Sequence, residues 1–153
     1  MVSGLCPWER AKQEGGRKMA TARRMTLADT AVRDYVDRMV DRYKDNPRSP
    51  YHDPASAAYS VAKLYRADAA ECVQKAQEQI NTAQNLTRLM RADQTHQDRA
   101  QGLAAKDARA ADQALLKARR FTQAAARTRQ QEQAALRYAD ELVAIKHRRG
   151  TAR

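Results

Sequence analysis

The residues of this chain with the clearest potential for chemistry are basic residues in its second half. Between residues 117 and 129 there are five basic side chains and no acidic one, and two more follow near the C-terminus. The set is Lys117, Arg119, Arg120, Arg127, Arg129, Arg148 and Arg149. Guanidinium and ammonium groups donate strong hydrogen bonds to phosphate and carboxylate oxygens. The pattern therefore predicts a surface that binds an anionic partner.

The spacing of these basic residues indicates how a helix would distribute them. Arg120 and Arg127 lie about two turns apart and share a face with Lys117, whereas Arg119 and Arg129 point elsewhere. RNA-binding surfaces usually place aromatic side chains among their basic ones, and this segment has a single aromatic residue. We therefore favour a basic surface that faces solvent or an acidic protein, and we keep RNA-backbone binding as the alternative.

No other group of residues has the spacing of an active site or a metal site. His52, His96 and His147 lie far apart, and no serine or cysteine is placed to form a nucleophile pair with them. Asp93 and Asp98 flank His96, but the unequal spacing prevents one helix face from presenting all three side chains. We predict no catalytic residue, no cofactor and no metal, so the protein is expected not to be an enzyme.

The overall charge supports an anionic partner and is unevenly distributed. The 153 residues include 29 Lys and Arg against 18 Asp and Glu, which gives a formal net charge of +11. Such a balance favours acidic protein subunits, RNA or anionic lipid headgroups as neighbours. Residues 26–66 are nearly neutral, so the excess of positive charge belongs to the N-terminal residues and to the second half of the chain.

Cysteine usage and hydropathy limit where the protein is expected to work. Cys6 and Cys72 lie far apart and form neither a disulfide framework nor a zinc motif, which fits a reducing compartment. No segment approaches the roughly 18 consecutive apolar residues of a transmembrane helix. Residues 17–25 are rich in Arg, Ala and Thr, a composition that suggests a mitochondrial targeting peptide. We expect an intracellular protein and suspect a mitochondrial one.

The elements that must position these side chains are helices. From residue 55 to residue 147 there is no proline and one glycine, Gly102, among many Ala, Gln, Arg and Lys residues. Alanine and the straight-chain polar residues are the best helix formers. The sequence predicts an all-α protein: a short N-terminal amphipathic helix, then a long alanine-rich helical hairpin or coiled coil, with disordered or extended basic tails.

Local signals divide the chain into five predicted segments. Thr26 and Asp29 have the spacing of a capping box, and Asp53 followed by Pro54 is a strong helix start. The two prolines between these starts predict a stiff, polyproline-like link. In the N-terminal segment Trp8 is a candidate anchor for a partner's pocket, because tryptophan contributes strongly to interfaces. The segments are a basic extended arm at 1–25, an amphipathic helix at 26–45, a proline-containing link at 46–53, a long helical hairpin at 54–147 and a basic tail at 148–153.

The apolar pattern of residues 54–147 indicates a seam with a break. Val61, Cys72 and Ala83 belong to a series that steps by four, four and three residues, an eleven-residue repeat that predicts a straight or slightly right-handed helix seam. Residues 91–101 contain no large apolar side chain and lead into Gly102, after which a second apolar stripe begins. Two architectures fit, a hairpin that turns within 91–102 and one continuous rod, and we favour the hairpin.

These features predict a structural role. Much of the apolar composition is alanine, whose methyl group contributes only about 0.8 kcal/mol when buried, so the core is thin and part of the stability is expected from a partner. We expect a non-enzymatic structural or accessory helical subunit, or a scaffold, of a large multi-subunit assembly. Mitochondrial respiratory, ATP synthase and ribosomal complexes are settings that fit. The alternative is an RNA-backbone-binding protein that uses the basic second arm and the tails.

Overall fold

Three helices make up most of the chain in the computed structural model. The structure describes residues 24–94 and 100–151, with side chains except at 93–101. Helix α1 spans Leu27–Tyr43, α2 spans Pro54–Gln94 and α3 spans Ala100–Gly150, and no strand occurs among the described residues. The prediction of an all-α protein is confirmed. The most extensive packing is between α2 and α3.

The two long helices run in opposite directions. Tyr59 of α2 bonds to Asp140 of α3, whereas Ala83 of α2 packs in one cluster with Ala111 of α3. Rising residue numbers on one helix therefore meet falling numbers on the other, so the pair is a helical hairpin and not one continuous rod. The helices contain 41 and 51 residues, which makes them about 60 and about 75 Å long at 1.5 Å per residue.

Both predicted helix starts are present in the structure. The Thr26 hydroxyl accepts a hydrogen bond from the Asp29 N–H at 3.1 Å, and Asp29 Oδ2 accepts one from the Thr26 N–H at 2.9 Å. This reciprocal pair confirms the capping box, which satisfies N–H groups that have no partner within the helix. At the start of α2, Asp53 Oδ2 accepts from the Ser56 N–H at 3.1 Å. Side-chain caps thus fix where α1 and α2 begin.

The link between α1 and α2 is a series of tight turns. The N–H groups of Asn46, Ser49 and His52 each donate to the carbonyl three residues earlier, at 3.0, 3.0 and 3.1 Å. Polyproline helices have no internal hydrogen bonds, so the prediction of a polyproline-like link is wrong. The Asn46 and Ser49 side chains also accept from the N–H groups two residues on, as short polar side chains do in turns. The rings of Tyr43 and Tyr51 pack across the link with centroids 5.5 Å apart.

Buried alanines recur at every seventh residue of both long helices. We call them the alanine positions: Ala62, Ala69, Ala76 and Ala83 on α2, and Ala111, Ala118, Ala125, Glu132 and Ala139 on α3, where Glu132 takes one place in the series. Residues three places later, such as Leu86 and Ala114, are buried or half-buried as well. A seven-residue repeat with two inward positions is the pattern of a left-handed coiled coil. The predicted eleven-residue repeat is wrong. That prediction assigned half-buried side chains at the edge of the seam, such as Ile80, to the centre of the seam.

The main core lies at the end of the hairpin where α1 packs. Val32 and Val36 of α1 are almost completely buried. They cluster with Ala57, Ala58, Val61 and Ala62 of α2 and with Ala134, Ala135 and Ala139 of α3. We call this end, residues 26–66 and 132–146, the base. We call residues 67–91 and 103–131 the arm, whose second, smaller core cluster consists of Ala83, Ala111 and Ala114 with Leu86 against them.

The position of α1 distinguishes two sides of the hairpin. Val61 and Tyr138, each one residue before an alanine position, pack against α1, so we call this the α1 side. Residues four places after an alanine position lie on the other flank of the seam, since a helix has 3.6 residues per turn. Ile80 and Leu115 are two such residues, and they line the same surface depressions. We call their side the open side.

The C-terminal end of α3 differs from the prediction. The basic tail was expected to begin at 148, but α3 continues through Arg148 and Arg149 to Gly150. No residue before Gly150 breaks the helix, and basic side chains suit the negative end of the helix dipole. Residues 1–23, and with them Trp8, lie outside the described residues.

Candidate functional site

The seven predicted basic residues all belong to α3 and are all exposed. They are Lys117, Arg119, Arg120, Arg127, Arg129, Arg148 and Arg149. None of them forms an ion pair or a side-chain hydrogen bond with any residue that the structure describes, whereas Arg33, Arg66 and Arg137 do. Their charge is therefore not compensated by direct contacts within the described parts of the chain.

The seam divides the five basic residues of the arm between the two sides. Lys117 immediately precedes an alanine position, so it lies on the α1 side. Arg120 and Arg127 lie on the same side of α3 but farther from the seam. By the same spacing, the α2 carboxylates Asp68 and Glu71 lie on this side. Basic and acidic side chains therefore share the α1 side of the arm.

The open side of the arm has a different charge. Arg119 and Arg129 follow alanine positions of α3, and Arg88 and Arg91 of α2 line a depression on this side. Asp112 is the one carboxylate that the helical spacing places there in the arm. Arg88 and Arg91 were not predicted from the sequence because they are distant along the chain, and only the antiparallel pairing brings them to the same side as Arg119.

Within the base, α1 is held by an ion pair with a strong electrostatic effect. Arg137 Nη2 and Nε donate to Asp29 Oδ1 at 2.6 and 3.3 Å. The Arg137 guanidinium, followed by the Thr26 backbone N–H, lowers the pKa of Asp29 to about 2. A second pair joins Arg33 of α1 to Glu141 of α3. Asp29 thus serves both as a capping residue of α1 and as its attachment to α3.

Tyr138 adds a third contact between α1 and α3. Its hydroxyl donates to Asp37 Oδ1 at 2.7 Å, and the Arg33 guanidinium lies 4.8 Å from its ring centroid. Burial, and next the hydrogen bond to Asp37, raises the pKa of Tyr138 to about 12. The neutral phenol is therefore the form of Tyr138 that packs in this end of the hairpin.

On the open side of the base, polar pairs join α2 to α3. The Tyr59 hydroxyl donates to Asp140 Oδ1 at 3.1 Å, and Arg66 Nε donates to Glu132 Oε1 at 2.7 Å. Glu132 occupies an alanine position, and only 15% of its side chain is exposed. The Arg66 guanidinium therefore reaches the Glu132 carboxylate from the edge of the seam.

The arm lacks such connections. Between residues 67–91 of α2 and 103–131 of α3, the structure describes no side-chain hydrogen bond or ion pair that joins the helices. Its open side instead exposes aliphatic groups: Val73 is 42% exposed and Leu115 45%. Ile80 and Leu115 line two neighbouring depressions, one with Arg88 and Arg91 at its edge and the other with Arg119. The open side of the arm is thus an apolar strip with a basic edge.

Comparisons of the chain with protein-family models, with curated proteins and with solved structures found no match. The function is therefore inferred from the residues and contacts described above.

The histidines have no described arrangement that suggests catalysis. His52 Nδ1 lies 2.7 Å from the Lys44 carbonyl oxygen in the link, and His147 is exposed on α3. The side chains of Asp93, His96 and Asp98 lie outside the described residues. Within residues 24–94 and 100–151, no group of three or more His, Cys, Asp or Glu side chains could hold a metal ion. None of the three described helices contains a stretch with the hydropathy of a transmembrane segment.

Proposed function

We propose that this protein is a non-enzymatic structural or accessory subunit of a multi-subunit assembly, in which the base fixes the arm and the arm contacts neighbouring subunits. The observation that carries this proposal is the contrast within the hairpin. The base is closed by a third helix and by polar pairs, whereas the arm exposes aliphatic side chains and uncompensated basic ones.

The energetics of the arm favour a role in contacts with neighbours. Fixing a backbone residue costs roughly 1–2 kcal/mol, and a buried alanine methyl returns only about 0.8 kcal/mol. Helices in proteins gain most of their stability from tertiary packing. An arm of about 25 residues per helix, or about 40 Å, therefore gains stability when a neighbour covers its apolar strip.

The direct test is to compare the isolated chain with the chain in its native extract. Lysine-directed cross-linking and mass spectrometry should join Lys106 and Lys117 of the arm to other proteins more often than Lys63 of the base. Size-exclusion chromatography with light scattering gives the mass of the species in the same extract. A free 17.3 kDa monomer without cross-links from the arm would overturn the proposal.

The identity of the assembly stays a prediction. Mitochondrial respiratory, ATP synthase and ribosomal complexes are the settings that the basic N-terminal residues and the type of chain suggest. Cell fractionation tests the intracellular, mitochondrial location, and replacement of Trp8 by Ala tests whether the N-terminal residues anchor a partner. Co-sedimentation with purified mitochondria or ribosomes would separate the respiratory and ATP synthase settings from the ribosomal one.

A second candidate function is binding of the RNA backbone, and the seven unpaired basic residues of α3 favour it. For single strands, the slope of log affinity against log salt should fall by roughly 0.7 for each phosphate that a substituted side chain no longer binds. An R120Q/R127Q variant should therefore show a shallower salt dependence than the parent. A salt-independent affinity would remove RNA as a partner, and flotation with anionic vesicles tests lipid headgroups in the same way.

A further inference from the structure

The open side of the arm has the features of a docking site, and we propose that it binds an amphipathic helix of a partner protein that carries a branched aliphatic stripe flanked by carboxylates. This inference rests on the proposed structural function and specifies the partner's chemistry. The site consists of Val73, Ile80 and Leu115, with Arg88, Arg91 and Arg119 at its edge.

The apolar part of the site follows the groove between α2 and α3. Ile80 and Leu115 face each other across the seam, since both line the same two depressions. Val73 precedes Ile80 by seven residues, two helical turns, and therefore extends the strip along α2. Depressions separated by ridges of side chains are what a third helix packs into.

The charge at the edge of the site selects the partner. Arg88 and Arg91 line one depression and Arg119 lines the other, and no acidic residue lines either of them. A second copy of this chain would bring the same guanidinium groups together, and the chain has a formal net charge of +11. Like charges at an interface are unfavourable. A helix with Asp or Glu beside its apolar stripe instead forms charge-assisted hydrogen bonds there.

The base of the molecule already shows the hairpin binding such a helix. On the α1 side, α1 inserts Val32 and Val36 among small residues, and its Asp29 carboxylate binds Arg137. The open side of the arm offers comparable groups: Ala83 and Ala118 in the groove with Ile80 and Leu115 beside them, and arginines at the edge. The chemistry that binds α1 is therefore repeated on a surface that no described residue of this chain covers.

Aliphatic side chains at the centre of the site make RNA a poor match, because nucleic-acid bases stack on aromatic rings. A membrane surface would require a broader apolar face than three side chains in a groove. Both remain distinguishable outcomes of the experiment below.

The experiment uses the full chain with a photo-cross-linking residue in its native cells. Gln84 and Gln123 line the depressions of the open side, whereas Asn85, the neighbour of Gln84, points away from the open side. We expect cross-links from Gln84 and Gln123 to a partner segment with aliphatic residues at helical spacing and adjacent Asp or Glu, and few from Asn85. Cross-links to RNA, to lipid, to a second copy or to a segment without carboxylates would overturn the inference.

A synthetic peptide of the cross-linked segment then gives the affinity for the purified chain. The variants I80S/L115S and R88Q/R119Q should each weaken binding about tenfold or more, as central interface residues do. The control variants Leu89→Ser and Lys75→Gln lie on the α1 side, away from the site, and should leave the affinity within about threefold, a difference of about 0.65 kcal/mol. Circular dichroism shows whether each variant keeps its helices, and the charge variant involves exposed side chains only.

The same experiment separates this inference from the proposed function. If Asn85 and positions in the base cross-link to proteins while Gln84 and Gln123 do not, the subunit role stands and the docking site is wrong. If no position cross-links to any protein, both are wrong.

Discussion

The base and the arm are built from the same two helices and the same alanine repeat, yet they are stabilised in different ways. In the base, α1 covers one side with Val32 and Val36, and ion pairs and tyrosine hydroxyls connect the helices. In the arm, the described contacts that join α2 to α3 are apolar: alanine layers with Leu86 packed against them, and no polar pair among the described side chains. The comparison indicates that an alanine seam sets a close spacing of the two helices, whereas larger side chains and polar pairs are expected to provide most of the tertiary stability.

The largest expected effect comes from one substitution made in both regions. Val36→Ala removes two buried carbon atoms from the base and should lower the free energy of unfolding by about 2 kcal/mol. Val73→Ala, on the exposed strip of the arm, should change it by less than about 0.5 kcal/mol. Urea denaturation followed by circular dichroism measures both. Equal losses would contradict the distinction between base and arm.

The next effect tests the seven-residue repeat of the arm. Deleting residues 70–76 and 112–118 removes one layer of the hairpin and should cost about 2 kcal/mol at most, because it removes three buried alanine methyls, of Ala76, Ala114 and Ala118, of about 0.8 kcal/mol each, while fewer residues have to be ordered. Deleting 70–74 and 114–118 instead rotates the rest of the arm by roughly 140° and should disrupt its packing. Hydrogen exchange of the arm amides distinguishes the two. Similar protection in both variants would argue against the repeat.

A smaller effect concerns the ion pair that holds α1. Asp29→Asn should cost about 1 kcal/mol at neutral pH, since part of the pair is exposed to solvent, while Asp112→Asn in the arm should cost almost nothing. The folded pKa of Asp29, about 2, lies below the ordinary 3.8. The stabilisation is therefore complete above about pH 4 and is lost as the pH falls towards 2. Thermal unfolding from pH 2 to pH 7 should show the parent and the variant converging in acid, and a constant difference would contradict the assignment.

The smallest effect involves Tyr138. Because its folded pKa of about 12 exceeds the ordinary 10.0, it stabilises the base below about pH 10, and this contribution disappears as the pH rises from 10 to 12. Tyr138→Phe should cost about 0.5 kcal/mol at neutral pH through the lost, partly exposed hydrogen bond to Asp37. In an ultraviolet titration, the variant should lack the tyrosine that ionises at the highest pH. If the variant showed the same number of tyrosines ionising at that pH as the parent, another tyrosine would be responsible.

The elements of the fold were predictable because local signals specify them. Thr26 with Asp29 marked the start of α1, and the absence of proline after Pro54 marked the long helices. The polar stretch before Gly102 correctly favoured a hairpin. These features depend on residues within one or two turns of each other, and a single sequence contains that information.

The repeat and the layout of the site were harder to predict because they depend on packing between distant residues. Ala76 and Ile80 are both apolar, and only the approach of α3 buries alanine more deeply than isoleucine. Arg88 and Arg91 were missed for the same reason, because the pairing of the helices brings them beside α3. The basic residues of α3 were identified as candidates because residues 117–129 contain no acidic side chain, and their partner is a proposal.

Glu132 has a consequence for how the two helices align. A seam of repeated alanines has several nearly equivalent alignments, since sliding α2 by seven residues again places alanine opposite alanine. In either shifted alignment, the place of Arg66 would be taken by Tyr59 or Val73, neither of which can neutralise the Glu132 carboxylate. A largely buried carboxylate that exchanges an arginine for a hydroxyl or an aliphatic side chain is destabilised. One carboxylate in the alanine series therefore selects a single alignment from a degenerate set, as a polar residue in a coiled-coil core does.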